Sequence, residues 1–356
     1  MHAVNLMRRD IAVVGAGITG IMTALACARK GAGVDLYEAE HIPNRENLSW
    51  ASGRLWKHIH EHNSCLEPLA GASLAYWEAL ILRSRGELGC RTESLRLLPP
   101  EDCLQLERHY RTLGTGCHIQ TPQSCEQSGV FRFAAGKQLF TGHDAVLLDA
   151  RKICLLLLDE LAQCRNVTLH PLTPADMNAS GNGVLCLGGS DSRTYATIVS
   201  TTGQPLHKRQ PATRERAQIR YQVHFDVHVN DSRRGLLKPV LHFGDDRRTW
   251  CVPSPDRSVL KLSASEFSFP HAPRADEVEA CRTYLLQKLN IRHTRVESHV
   301  SAYHEIPSEK RPSSPYWYTD PQTGVVTVDS CDASTFKIAP VLSDQISQHV
   351  INGVTL

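Results

Sequence analysis

Little separates the 39 basic from the 37 acidic residues of this 356-residue chain, which leaves +2 at pH 7 with no long block of either sign. That near balance argues against a dedicated nucleic-acid or membrane-surface protein. The 12 cysteines include no C-x-x-C pair and no metal-ligand spacing. They read as reduced thiols, mostly small buried residues, of a cytoplasmic protein. The 18 histidines are dispersed and form no H-E-x-x-H arrangement, so no metal site is expected. Met1 to Asp10 is too polar and too short for a secretory leader. The greasiest run, Ile153–Leu158, is far too short to span a bilayer and fits one face of a buried helix. No internal repeat or low-complexity segment is present. The length suits one large domain or two intimately joined ones.

What is present is concentrated at the two ends. Ile11–Val14 is an apolar strand pattern. It runs into Gly15-Ala16-Gly17-Ile18-Thr19-Gly20, a helical stretch carrying Ala24, Ala26 and Ala28, and a second strand ending at Tyr37-Glu38-Ala39. Each part has a chemical reason. Gly15 permits a tight turn, Gly17 lets a pyrophosphate approach the backbone, and Gly20 lets the helix pack close to the strand. The helix start offers unpaired N–H groups and the positive end of its dipole to phosphates. Glu38 lies at the end of the second strand, where it accepts hydrogen bonds from ribose hydroxyls and repels a 2′-phosphate. Strand, glycines, helix and acid stand in register, which marks a dinucleotide site that disfavours NADP.

Between the ends the patterns are plainer. Asn47–His58 reads as a polar loop entering a helix, with His58, His60 and His62 on its exposed part. Leu74, Trp77, Leu80 and Ile81 have helical spacing, and Glu101–Glu107 is a short helix. Residues 112–142 look like loops and short strands. Asp149 opens a helix running to about Cys164. Val167–His170, Gly183–Leu187 and Tyr195–Ser200 are short strands. Ile219 to Val229 alternates apolar and polar residues strictly, which predicts a half-buried strand with His224 and His228 on a solvated face. Val240–Phe243, Trp250–Val252 and Val259–Leu262 follow, joined by turn signals, so an antiparallel sheet is expected within the α/β chain. A helix is predicted over 276–289, then a strand over 325–328 and a helix near 336–351.

The tail reads Asp329-Ser330-Cys331-Asp332-Ala333-Ser334-Thr335-Phe336-Lys337-Ile338-Ala339-Pro340. Together with the first motif it resembles the D-amino-acid oxidase superfamily of FAD enzymes, and within it the sarcosine oxidase and glycine oxidase branch. The resemblance spans nearly the whole chain and is strong at its two ends. It implies an α/β fold: a discontinuous Rossmann-like FAD-binding domain (residues 1–85, 145–205 and 305–356) with an inserted, mainly antiparallel substrate domain (86–144 and 206–304). It also implies that Gly15, Ala16, Gly17, Ile18, Thr19, Gly20, Glu38 and Ala39 hold the ADP half of FAD. The Ser49–Arg54 loop, through Ser52, Gly53 and Arg54, would pass the pyrophosphate and reach one flavin face. Thr201, Thr202 and Gly203 would form a strand end beside the cofactor. Ser334, Thr335, Phe336 and Lys337 would begin a helix aimed at the flavin pyrimidine, where a positive helix end stabilises charge on the reduced ring.

By the same resemblance, Lys261 would assist oxygen reduction, and Arg54, Arg311 and Tyr318 would face the substrate. Two of these readings have a chemical basis of their own. A guanidinium binds a carboxylate in a two-point fork, and a cofactor enzyme needs no protein nucleophile. The chain departs from the family pattern in three places. Asp332-Ala333-Ser334-Thr335 replaces a glycine-rich turn. Tyr316 stands where some sarcosine oxidases tether flavin through cysteine, so non-covalent FAD is expected. Ser265 stands where a histidine belongs. The implied function is oxidation of a C–N bond in an amine or amino acid by hydride transfer to flavin N5, with oxygen or a carrier as acceptor. The same fold would also serve a 2-hydroxy-acid dehydrogenase, and the altered turn leaves open an FAD-retaining subunit without catalysis.

Overall fold

A computed structural model describes residues 10–45, 47–60, 66–125, 129–177, 180–188, 191–202, 218–244, 248–305, 316–328 and 335–354. In chain order the first half contains β1 Ile11–Val14, α1 Ile18–Arg29, β2 Val34–Tyr37, β3 Arg54–Lys57, α2 Glu67–Arg83, β4 Gly89–Leu98, α3 Pro100–Thr112, β5 Cys117–Gln120, β6 Gln138–Leu148, α4 Ala150–Ala162 and β7 Val167–His170. The second half contains β8 Val184–Cys186, β9 Ser192–Thr194, β10 Thr197–Ser200, β11 Gln218–Val229, β12 Val240–Leu241, β13 Thr249–Pro253, β14 Val259–Ala264, β15 Ser268–Phe269, α5 Ala275–Gln287, β16 His293–Glu305, β17 Trp317–Thr319, β18 Val326–Val328 and α6 Thr335–Val354.

The chain divides into two compact units, one of residues 1–51, 151–218 and 303–356, the other of 52–150 and 219–302. Residues 52–85 and 145–150, expected with the first unit, fall in the second because β3 and the end of β6 pair within its sheet.

The first unit is built on a six-stranded sheet of order β17-β18-β10-β1-β2-β7. All neighbours pair in parallel except β17, which runs antiparallel to β18. Ile11–Val14 is buried throughout, as a parallel strand covered on both faces must be. α6 packs along α1 through small side chains: the Thr23 hydroxyl donates to Ser343 Oγ at 3.2 Å, and Ser343 in turn donates to the Thr19 carbonyl at 3.3 Å. One polar cluster is buried against this sheet. Tyr195 donates to Asp35 Oδ2 at 2.7 Å and lies 2.5 Å from the Tyr37 hydroxyl. Burial pushes both phenols above their usual range.

The second unit is built on a ten-stranded sheet with the path β15-β11-β14-β13-β12-β4-β6-β3, to which β16 adds on β11 and β5 on β6. Val223, Phe225, Val227, Leu260, Leu262 and Cys251 turn one face into the core with Leu285 of α5. A second buried centre is polar. Asp144 Oδ1 accepts from Tyr110 at 2.7 Å and Ser94 at 3.0 Å, while Oδ2 accepts the His58 and Ile59 backbone N–H groups at 3.1 and 3.0 Å. Arg96 donates to Ser94 Oγ at 2.9 Å and lies over the Tyr110 ring. Arg54–Lys57 is therefore a strand rather than a helix entrance. His58 and His60 follow it half-buried and tied to backbone, and His62 lies outside the described residues.

Candidate functional site

The order of the parallel sheet reverses between β1 and β10, the switch point at which doubly wound sheets take ligands beyond their carboxyl ends. Two segments leave the sheet there: the loop from Val14 into α1, and Thr201-Thr202 after β10. They are stitched together. The Thr201 N–H donates to the Val14 carbonyl at 2.8 Å, and its hydroxyl lies 2.9 Å from Val14 O and 2.8 Å from Gly15 O. Gly15 has φ +101°, a conformation that side-chain residues rarely adopt. A Cβ on Gly20 would stand 1.8 Å from the Gly15 carbonyl oxygen, so only glycine lets α1 lie this close to the strand. A Cβ on Gly17 would meet only Ser49 Oγ, at 3.3 Å. The space beside Gly17 is thus kept open by sequence rather than needed for packing.

Gly17 caps α1, whose first turn carries no acid. The Ile18 N–H donates to Ser49 Oγ at 3.0 Å, and Ile21 N–H closes the first helical bond on Gly17 O. The remaining first-turn N–H groups have no partner within the helix. At the tip of β2, Glu38 is buried and bonded to the loop. Its Oε2 accepts the Ala16 N–H at 2.8 Å, and Oε1 accepts from Glu40 N and Asn44 Nδ2, both at 3.2 Å. A carboxylate has about four lone-pair positions, so Glu38 is oriented yet retains acceptor capacity. Ala39 and Thr202 are exposed at the rim. Thr335 and Phe336 are buried at the start of α6, and Lys337 is half-buried. Gly203, Arg311 and Ser334 lie outside the described residues. Tyr318 is half-buried on β17.

In the second unit, Lys261 is 4% exposed on β14, with its ammonium 6.0 Å from the Trp250 ring centre. Its cross-strand partner on β11 is Asp226. Arg54 is buried at the start of β3. Ser52 donates to Asp226 Oδ1 at 2.5 Å. The polar face of β11, expected to be solvated, is covered: His224 and Asp226 are buried, and the His224 ring stacks on His299 of β16 at 5.1 Å. Thus the structure gathers Gly15, Ala16, Gly17, Ile18, Thr19, Gly20 and Glu38 around the switch point of the first unit. It places Ser52, Gly53, Arg54 and Lys261 in the second.

The family model for FAD dependent oxidoreductases (DAO) matches residues 10–342 of this chain. The chain belongs to this family. Among solved structures, L-proline dehydrogenase from P. horikoshii superposes with a TM-score of 0.75 at 14% identity, covering 97% of this chain and 94% of that one. Glycine oxidase from Geobacillus kaustophilus gives 0.73 at 18% identity, with 97% and 95% covered. At such identity these likenesses show a shared fold. A shorter match is closer in sequence: 51% identity over 49 residues to the probable electron transfer flavoprotein-quinone oxidoreductase YgcN of Escherichia coli. That match spans 14% of this chain and 11% of that protein's length.

The residues of this FAD-dependent oxidoreductase fit the adenosine diphosphate half of the cofactor. The open flank of Gly17, the acid-free first turn and the fixed carboxylate of Glu38 are what a pyrophosphate and a ribose require. Thr201 and Ser49, expected near the cofactor only as parts of a strand end and a loop, hold the cradle itself by hydroxyl bonds. The sequence carries no signal for those particular bonds, because their partners lie 31 and about 186 residues away. Among the described residues, no helix is long and apolar enough to cross a membrane.

Proposed function

We propose that this protein holds one FAD non-covalently at the switch-point cradle and oxidises a C–N bond in an amine or amino acid. The observation that carries the reading is the cradle, in which three glycines, Glu38 and Thr201 are arranged as a dinucleotide demands. FAD, when bound, would supply the hydride acceptor for oxidation at the substrate α-carbon. Glu38 binds the ribose and Gly17 leaves the pyrophosphate room. The start of α6, from Thr335 to Lys337, supplies a positive helix end for the flavin pyrimidine. Tyr316, in place of a tethering cysteine, supports non-covalent binding.

Arg54 or Arg311 anchors the substrate carboxylate, since the guanidinium fork suits that group. Tyr318 faces the substrate. Lys261 serves the oxygen half-reaction: an ammonium held at a buried position stabilises an oxygen-derived anion more strongly than one in water. Lys261→Met keeps most of the stem and removes the charge.

An anaerobic stopped-flow screen of amines, amino acids and 2-hydroxy acids, followed by an oxygen pulse, tests the whole reading. Bleaching by an amine or amino acid is expected, with reoxidation slowed by orders of magnitude in Lys261→Met and bleaching unchanged. Bleaching by 2-hydroxy acids alone would overturn the C–N assignment. Bleaching by no compound would favour a subunit that retains FAD without catalysis.

A further inference from the structure

On the polar face of the second unit's sheet, β11 and β16 bring Asp226, Glu297 and His299 together, each offering one ligand atom within 4.8 Å of the others. His299 Nε2 lies 3.7 Å from Asp226 Oδ2 and 3.7 Å from Glu297 Oε2. Both separations exceed a hydrogen bond. Two ligands at about 2.1 Å from one tetrahedral ion are about 3.4 Å apart, so small side-chain movements would bring all three atoms onto a common ion.

The second oxygen of each carboxylate is already occupied. Asp226 Oδ1 accepts from Ser52 at 2.5 Å. Glu297 Oε1 lies 3.1 Å from His228 Nε2 and forms an ion pair with Arg295. These partners hold the outer oxygens, while Oδ2 and Oε2 are the oxygens nearest His299 Nε2, the division between binding and orienting contacts found around metal ligands. The His299 ring is itself held by stacking on His224, with 20° between the planes.

From this arrangement we propose that Asp226, Glu297 and His299 form a site for one divalent cation of the Zn2+ class, with Ser52 and His228 as its orienting residues. Two carboxylates and an imidazole suit a borderline divalent ion. The carboxylate charges balance the ion, while Arg295 on the outer oxygen and Lys261 across the strand from Asp226 oppose it. The three ligands all belong to the second unit and have no part in the flavin reading, although Ser52 and Lys261 beside Asp226 do. It differs from the sequence expectation of no metal because β11 and β16 are far apart in the chain, and only their pairing makes a ligand set.

The test is isothermal titration of the purified, EDTA-dialysed full-length protein with ZnCl2, followed by zinc X-ray absorption. One Zn2+ per chain is expected, in a shell of nitrogen and oxygen only. His299→Ala and Glu297→Gln, both at partly exposed positions, should abolish stoichiometric binding while thermal melting without metal stays near wild type. His228→Ala should weaken binding by about 10- to 100-fold, as loss of an orienting partner does. His143→Ala, in the exposed pair with His118, should leave binding unchanged. A sulfur-containing shell would overturn the proposal, as would equal binding by His299→Ala or no stoichiometric binding at all.

Discussion

Two glycines three residues apart should behave in opposite ways when given a methyl group. In Gly20→Ala the new Cβ would stand 1.8 Å from Gly15 O and 2.6 Å from Thr201 Oγ1. An ordinary carbon–oxygen contact is about 3.3 Å, so α1 must retreat by about 1.5 Å. That retreat would disturb the buried Ile18, Ile21 and Leu25. Overpacking costs about 1–3 kcal/mol, and more where backbone must move, while alanine's helix preference returns about 1 kcal/mol. The difference is about 0–2 kcal/mol, and a net loss near its upper end, about 2 kcal/mol, is expected because the clash is with backbone.

Gly17→Ala meets only Ser49 Oγ, at 3.3 Å, from an extended conformation of φ −73° that alanine accepts. Its stability should stay within about 0.5 kcal/mol of wild type. Its methyl, however, occupies the approach to the first-turn N–H groups. Loss of one hydrogen bond to a charged phosphate, about 1.5–3 kcal/mol, raises the FAD dissociation constant about 10- to 150-fold. Urea unfolding of the apoproteins separates stability from ligand stabilisation, and quenching of flavin fluorescence gives the affinities. A stable Gly20→Ala together with a wild-type FAD affinity for Gly17→Ala would refute the reasoning on both counts.

Glu38→Ala removes the acceptor that fixes the Ala16 N–H and that we propose binds the ribose, so FAD affinity should fall by about 1.5–3 kcal/mol; an unchanged affinity in the same fluorescence titration would remove Glu38 from the site. Asp144→Ala takes the acceptor from Tyr110, Ser94 and two backbone N–H groups, and the urea-derived stability should drop by about 3–5 kcal/mol. A loss under about 1 kcal/mol would show that the buried network is dispensable. The Arg233 hydrogen bond beside Asp231 holds that carboxyl below its ordinary value of 3.8. Its contribution to stability is therefore complete above that value and is lost as the pH falls through the lowered one. Urea midpoints of Arg233→Ala should accordingly approach wild type as the pH falls, short of full convergence because Arg233 also donates to the Gly129 and Asn290 carbonyls, whereas a constant gap would contradict the pairing.

The parts of the fold legible in the sequence are those whose cause is local. Gly15, Gly17 and Gly20 are dictated by backbone sterics within one turn, and Glu38 by the end of the adjoining strand, so β1, α1 and β2 lie where the pattern predicts. β11 was legible from alternation alone. The burial of its polar face was not, because β16, which supplies the stacking His299, reads His-Thr-Arg-Val-Glu-Ser-His with polar residues on both faces. No apolar alternation marks such a strand. β3 was misread as a helix entrance for a related reason: Arg54-Leu55-Trp56-Lys57 becomes a strand through pairing with β6, about ninety residues away. The Asp144 centre joins β6, β4, α3 and the segment after β3, and no local window contains it.

Whether the switch-point cradle holds FAD is measured most directly by purifying the full chain, recording its visible spectrum, denaturing it with acid and identifying the released cofactor by mass spectrometry. A flavin spectrum, with about one FAD per chain passing into the supernatant and less in Gly17→Ala prepared alongside at limiting cofactor, is the predicted result. A colourless protein that cannot be loaded with FAD, or one that releases NAD or NADP, would contradict the account.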